Sequence, residues 1–307
     1  MNAQQDIYFK SIHDFLLVFP DEQACINHLE QIRWGGVIVS PFDETSKVYK
    51  CAGNKFKCKN TGKYFNAKTG TIFEATNIKL MKWFLALYVF SSHKKGISSY
   101  QLAKDIDVTQ KSAWFMLHRL RHAFGNTDDE QFAGVVEVDE TYVGGNEKNK
   151  HAKKKTGSTG RTNVTKTPVL GLKDRKTGTV KAHVVPNVTS EIVYPILIAG
   201  IEENSIVVTD EYRVYDRLSN HFSHGKVIHS AKEYVNGHFH TNGIENFWSH
   251  LKRGVDGIYH WVSREHLQSY VNEYALRYNT RTFTTSSRFD YILSNMTCRL
   301  TYKELTK

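Results

Sequence analysis

The chain has 307 residues, longer than one typical domain, with a formal charge of +10 and a pI near 9.2. That basicity favours a polyanionic partner, foremost nucleic acid, and weakens the case for a small neutral substrate. Its four cysteines, Cys25, Cys51, Cys58 and Cys298, are too few and too scattered for a secreted disulfide framework. The longest apolar stretch, Trp83 to Phe90, is too short to cross a bilayer, and the start MNAQQD lacks the charged and apolar regions of a signal peptide. A cytoplasmic protein with no membrane partner is expected.

In chain order, Asp21 to about Phe73 is turn-rich, with GG at Gly35 and Gly36, then AGN and NTG, between short pieces such as KVYKC and KYFNA. This predicts a small β-rich knuckle. From Lys79 to about Phe124 apolar residues recur at helical spacing, in LMKWFLALYVF and on both sides of KDIDVTQKS, which predicts at least three helices. Within them, Ser98 to Thr109 reads as a short helix with Leu102 and Ala103 inward and a tight turn, with Thr109 capping the next helix. That second helix has Ala113, Trp114, Leu117 and Leu120 on its buried stripe. Its other faces carry Gln110, Lys111, His118, Arg119 and Arg121, as a recognition helix would. A plain helical hairpin gives the same pattern, and the basic flank favours a helix-turn-helix.

From Gly134 onward β-branched runs alternate with helical segments: VVEVDETYVGG, TPVLGLKD, TVKAHVVP, a helix near Glu191 to Gly200, and SIVVTD. The order predicts a sheet layered with helices. Between its first and second strands lies a basic loop, 146–166, holding Lys148, Lys150, Lys153, Lys154, Lys155, Arg161 and Lys166 against the single acid Glu147. Such a segment cannot pack a core. It is either a solvated hairpin tip or an arm that contacts phosphates.

Three carboxylates stand out. Strand alternation puts Glu137, Asp139 and Thr141 on one face of the first strand, and an Asp inside so β-prone a run is unfavourable unless its charge is compensated. Asp210 follows Ile206–Thr209 at the end of another apolar strand, and Glu245 lies on a helix whose buried stripe is Ile244, Phe247, Trp248 and Leu251. Singly, each has an ordinary role as an ion pair, a turn cap or a surface acid. Converging, they would form an acidic cluster that repels itself unless divalent cations occupy it, the layout of a two-metal phosphodiester site. Hard oxygen ligands make Mg²⁺ the natural ion, with Mn²⁺ able to substitute. Lys252 follows Glu245 by seven residues and shares its helix face, where it would hold a phosphate or else extend into solvent beside Arg253. Asn242, about one turn before Glu245, is a further candidate ligand or substrate contact.

These residues resemble the DDE-type insertion-sequence transposases with a ribonuclease-H-like core, in their Merlin-related bacterial branch. The matching motifs are RWGG at Arg33, GKYFNAKTGTIFE at Gly62, KKGISSYQLAKDIDVTQKSAW at Lys94, VEVDETYVGG at Val136, the loop GGNEKNKHAKKK, VVTDEYRVYDRL at Val207 and HTNGIENFWSHLKRG at His240, in the family's order over nearly the whole chain. The resemblance implies an α+β chain in three parts: a degenerate zinc-ribbon-like module (1–75), a helix-turn-helix segment (76–130) and a ribonuclease-H-like catalytic domain with a mixed sheet and flanking helices (131–307). It assigns the catalytic and metal-binding carboxylates to Asp139, Asp210 and Glu245, the following lysine to Lys252, and keeps Asn242 as an alternative to the third acid. The implied reaction begins when water cleaves double-stranded DNA at terminal inverted repeats. The exposed 3′-hydroxyl then attacks target DNA, with no covalent enzyme intermediate. A nucleoid-associated homo-oligomer on DNA is implied as well. Two alternatives remain: a nuclease of the same core without strand transfer, and a DNA-binding regulator derived from an inactive transposase.

One departure matters. Where the family carries Cys-Pro-x-Cys and a second Cys-x-x-Cys, this chain reads Ser40-Pro41-Phe42-Asp43 and Cys58-Lys59-Asn60-Thr61. Only Cys58 is a matched ligand, and Cys51 is out of register. A structural zinc normally takes four Cys or His ligands, so none is expected here.

Overall fold

A computed structural model describes residues 8–124, 130–145, 166–227 and 240–306. The chain folds as two compact units, Met1–Phe124 together with Thr282–Lys307, and Gly125–Arg281.

The first unit opens with α1 (Ile12–Val18), started by a capping box between Ser11 and Asp14. Next comes α2 (Glu22–Trp34), capped by Asp21. The expected knuckle is a three-stranded antiparallel sheet, β1 (Val48–Cys51), β2 (Lys55–Cys58) and β3 (Tyr64–Phe65), closed around Phe56, Cys58 and Phe65 with Trp34, Ile38 and Val48 against them. Three helices follow, α3 (Leu80–Ser92), α4 (Ser99–Asp105) and α5 (Gln110–His122). Ser98 caps α4 and Thr109 caps α5, accepting from the Ser112 amide at 3.2 Å, as its position in the sequence predicts.

The second unit is built on β4 (Val135–Val143), β5 (Thr167–Asp174), β6 (Val180–Val184), α6 (Ser190–Gly200), β7 (Ile206–Thr209), β8 (Ser223–Lys226), α7 (Asn242–Gly254) and α8 (Leu267–Asn279). Its five strands lie in the order β6-β5-β4-β7-β8. The β4, β5 and β6 strands form an antiparallel meander, while β7 and β8 run parallel to β4. Alternation along the strands makes two cores. One packs Val136, Val138, Leu170 and Leu172 with Val193 and Leu197 of α6. The other packs Val143, Val169, Val180 and Ala182 with Ile244, Phe247, Trp248 and Leu251 of α7 and Val271 of α8. Each such side chain removed from water contributes about 1.5–3 kcal/mol. The α+β class is therefore as expected, a mixed sheet with helices on both faces.

Two boundaries differ from the sequence reading. The knuckle and the helices, expected as separate pieces 1–75 and 76–130, belong to one unit. The region 131–307 is not one body either, because its last part, α9 (Thr285–Ser294) and α10 (Tyr302–Leu305), belongs to the first unit. The physical reason is Phe289. Its fully buried ring meets Phe9, Phe15, Phe19 and Phe84 at centroid distances of 5.4–5.8 Å, each pair tilted or edge-on.

Candidate active site

The centre of the second unit's sheet positions the first two acids. Glu137 of β4 pairs with Val208 of β7 in parallel register, so two places further along each chain Asp139 stands beside Asp210, just past the last residue of β7. Asp210 also closes the turn after its strand, accepting from the Tyr212 amide at 3.0 Å. Asp139 Oδ2 accepts from the indole N–H of Trp248 at 2.9 Å. Burial, then the charges of Glu140 and Asp210, push the Asp139 carboxyl up to about 7, against the lowering effect of the Trp248 hydrogen bond.

Trp248 reaches Asp139 across β5, where the residue paired with Asp139 is Gly171. A Cβ at Gly171 would come within 2.5 Å of the indole ring, so the glycine is the space in which the indole lies.

Glu140 points to the opposite face, where the buried Tyr215 hydroxyl donates to it at 2.7 Å. Burial and the Asp210 charge raise the Glu140 carboxyl, while the Tyr215 hydrogen bond works the other way. Burial, Glu140, Asp139 and Asp210 together hold the Tyr215 phenol well above its ordinary range. Asp139, Glu140, Asp210 and Tyr215 thus share one electrostatic neighbourhood. The sequence reading missed Glu140 and Tyr215; its signal was an acid adjacent to Asp139 on the face assigned to the core.

Glu137 has a different task. It is 0% exposed, accepts from Arg175 Nε at 2.8 Å and accepts from the Ile244 amide, in the first turn of α7, at 2.9 Å. Arg175 also donates to the His240 carbonyl. Thr241 offers α7 no side-chain cap, and a carboxylate from β4 serves instead, where the helix dipole favours it. The helix that carries Trp248 is thereby fixed to the strand that carries Asp139.

Glu245 is on the surface of α7 and accepts from Thr241 Oγ1 at 2.9 Å. The side chain that α7 delivers to Asp139 is Trp248. Among the described residues no three or more His, Cys, Asp or Glu side chains are grouped closely enough to hold a metal ion, so the expected convergence of Asp139, Asp210 and Glu245 is not present in this conformation. Asp139 and Asp210 by themselves do suit a hard divalent cation. Their neighbourhood is acidic and partly buried, and Mg²⁺ is commonly held by one or two carboxylates together with substrate phosphates. Asn242, Lys252 and Arg253 are exposed along α7, with Lys252 on the Glu245 side and Arg253 Nε donating to the Ser249 carbonyl at 3.0 Å.

In the first unit, Lys111 is exposed on α5, its ammonium 4.9 Å from the Tyr302 ring centroid. Arg119 and Arg121 require correction. They are 3% and 1% exposed. The Arg119 guanidinium donates to the carbonyls of Ile72, Glu74 and Leu300 at 2.6–2.9 Å. The segment before α3 and the C-terminal tail therefore cover Arg119, and neither arginine is open to DNA. His118 is fully buried as well. Lys148, Lys150, Lys153, Lys154, Lys155 and Arg161 of the basic loop lie outside the described residues.

In the knuckle, the four positions singled out in the sequence lie around one centre. Ser40 and Asp43 form a β-bridge. Burial raises the Cys58 thiol, but hydrogen bonds with the side chains of Ser40, Ser46 and Thr61 outweigh it and hold the group at about 6. Asp43 accepts from Thr45 Oγ1 at 2.7 Å and from Asn60 Nδ2 at 2.8 Å.

Residues 131–279 match the ISXO2-like transposase domain. An uncharacterized protein in transposable element ISH50 of Halobacterium salinarum is 32% identical over 274 residues, covering 84% of this chain and 91% of the relative. An uncharacterized transposase-like protein of Haemophilus influenzae is 39% identical over 97 residues, 31% of this chain and 77% of that protein.

Proposed function

From the premise that this chain belongs to the insertion-sequence transposases, as its match to the ISXO2-like domain and to the ISH50 protein establishes, we propose that it cuts DNA at the ends of its element and joins them to target DNA. The observation that carries this reading is the closeness of Asp139, midway along central strand β4, to Asp210 just past parallel strand β7, with the Asp139 carboxyl lifted to about 7 by burial and then by the Glu140 and Asp210 charges. Structural ion-pair sites depress carboxyl groups. A buried carboxylate lifted further by like charges beside it is arranged for a cation or a proton.

The strand order β6-β5-β4-β7-β8, with β4 central and helices on both faces, supports a ribonuclease-H-like core. Asp139 and Asp210 would hold Mg²⁺, for which Mn²⁺ substitutes. A bound divalent ion supplies a nucleophilic oxygen at neutral pH and neutralises charge on the phosphodiester. The chain's own side chains position and stabilise. Trp248 orients the Asp139 carboxylate through its indole N–H, Glu137 anchors α7, and Lys252 stands where it can hold a phosphate oxygen. Glu245 is the third acid and Asn242 its alternative, both in the first turn of α7. Glu245 must exchange its Thr241 hydrogen bond for the shared site when DNA and metal are present.

DNA is gripped by Lys111 on α5 within a helix-turn-helix, by Arg253, and by the basic loop with Lys148, Lys150, Lys153, Lys154, Lys155 and Arg161. These contacts displace counterions, so affinity falls steeply with salt. The functional form is a homo-oligomer bridging two DNA ends. The hydroxyls around Cys58 support a metal-free knuckle, and zinc analysis of the purified chain should find well under one equivalent. No helix among the described residues is long and apolar enough to cross a membrane.

Strand transfer with pre-cut element ends tests the reading. Joined product with Mg²⁺ is expected, and cleavage without joining would indicate a plain nuclease. The separation of Glu245 from the two aspartates also favours a second reading, a DNA-binding regulator that no longer cuts. Specific binding of the ends by a wild type inert even with Mn²⁺ would establish that one instead.

A further inference from the structure

Five tryptophans occur in the chain, and Trp261 alone is exposed, at 71%. Tryptophan is highly buried on average, so an indole held in water needs a reason. The backbone around it is built for that display. After α7 the chain widens through a π-helical turn, Val255–Tyr259. It then reverses at His260, a non-glycine residue at φ 59° and ψ −37°, with the Trp261 amide donating to the Tyr259 carbonyl at 2.6 Å. This is a γ-turn of the rare positive-φ kind, which persists only where its surroundings impose it.

The anchors lie on both sides. Tyr259 donates its hydroxyl to the fully buried Glu273 at 2.9 Å, and Arg277 donates to that same carboxylate at 2.7 Å. The Tyr259 ring meets Tyr270 edge-on at 4.7 Å. Upstream, Gly254 lets the Tyr274 ring approach so closely that any Cβ there would collide with it. Downstream, Val262 packs on the α7–α8 core and Arg264 donates to Thr167 at 3.1 Å. The chain is tied before and after Trp261, and the indole is left outside.

The exposed charged residues along this stretch are Lys252, Arg253 and Arg264, with Asp256 and Glu265, in a chain of net charge +10. A rigidly displayed planar π surface on a strongly basic chain is what single-stranded nucleic acid binds, because every base has a face to stack and every nucleotide a phosphate to neutralise. We propose that Trp261 stacks on an unpaired nucleobase at a DNA end, replacing the base neighbour lost when the duplex frays or is cut. The proposal rests on the DNA-processing reading above and names one contact within it.

Full-length protein would be titrated with a duplex bearing a short unpaired thymine tail and with the same duplex fully paired. Wild type should bind the tailed duplex about tenfold more tightly, the size of one base–aromatic stack. Tail binding should also quench the exposed-tryptophan emission. Trp261→Ala should lose the preference and the quenching while keeping its affinity for the paired duplex, and Trp261→Phe should keep most of the preference. A Trp261→Ala variant that still prefers the tailed duplex, or one that weakens on both duplexes alike, overturns the stacking role. If that variant binds DNA normally but dissociates in sedimentation, the indole is a subunit contact instead. Failure of the wild type to bind either duplex would defeat the DNA reading itself, a separate result.

Discussion

Asp139 and Arg119 are both charged residues set into apolar elements, one in each unit, and the structure treats them in opposite ways. The Arg119 guanidinium meets three backbone carbonyls and so holds the segment before α3 and the C-terminal tail to α5. Asp139 accepts from one indole N–H and has two carboxylates for neighbours, and burial together with those charges lifts it to about 7. A buried charge met by several backbone carbonyls is a structural fastener. One left among like charges stores an unmet demand for a cation, and that asymmetry separates a site from a scaffold even where a sequence marks both with the same signal.

Exchanging the two charges for neutral groups gives the sharpest contrast. Asp139→Asn should lower end cleavage by at least about a hundredfold, comparable to removing a key electrostatic group from other active sites, yet leave thermal stability unchanged or raised. Gel-based cleavage and calorimetry on one preparation read both effects. Arg119→Ala should do the reverse. Its three orphaned carbonyls cost about 3 kcal/mol or more of stability in denaturant unfolding, with activity per folded molecule retained. Normal stability in Arg119→Ala would remove the contrast.

A smaller effect is expected at Gly171. A methyl group there must displace the Trp248 indole, at a cost of about 1–3 kcal/mol, and the shift should reduce cleavage because it breaks the hydrogen bond to Asp139. Gly171→Ala with wild-type cleavage would mean that the indole contact is incidental.

The pH dependence follows from the sign of the Asp139 shift. Its carboxyl is raised in the folded chain, so between the ordinary carboxylate value near 4 and about 7 the folded state holds more protons than the unfolded state. Metal-free protein should therefore lose stability as pH rises through that window and level off above it. Asp139→Asn should flatten the slope, and so should Mg²⁺. The smallest effect is expected from Lys111→Ala, which should reduce the salt slope of DNA binding by about one phosphate contact with little change in sequence preference.

Periodicity and turn chemistry show which residues share a face and where helices begin, and that part of the fold is legible in the sequence: the strands β4 to β7 and the Thr109 cap, while β8 (Ser223–Lys226), the sequence SHGK, carries no apolar alternation to announce it. Periodicity does not show what meets each face. Arg119 and Arg121 lie off the apolar stripe of α5 yet are buried, and the segments that cover Arg119 are far away in the chain. The return of α9 depended on one ring, Phe289, finding four others. Glu137, grouped with Asp139 by alternation, caps a helix more than a hundred residues later. Glu140 was hidden by the same alternation, which assigned it to the core before Tyr215 was known to be there.

The pairing of Asp139 with Asp210 is tested most directly by Mn²⁺ titration, followed by electron paramagnetic resonance, of the full chain bound to an element-end duplex. Tight Mn²⁺ binding is expected in the wild type, with loss of the same signal in Asp139→Asn and in Asp210→Asn. Undiminished Mn²⁺ binding in both variants would contradict a site built on these two side chains.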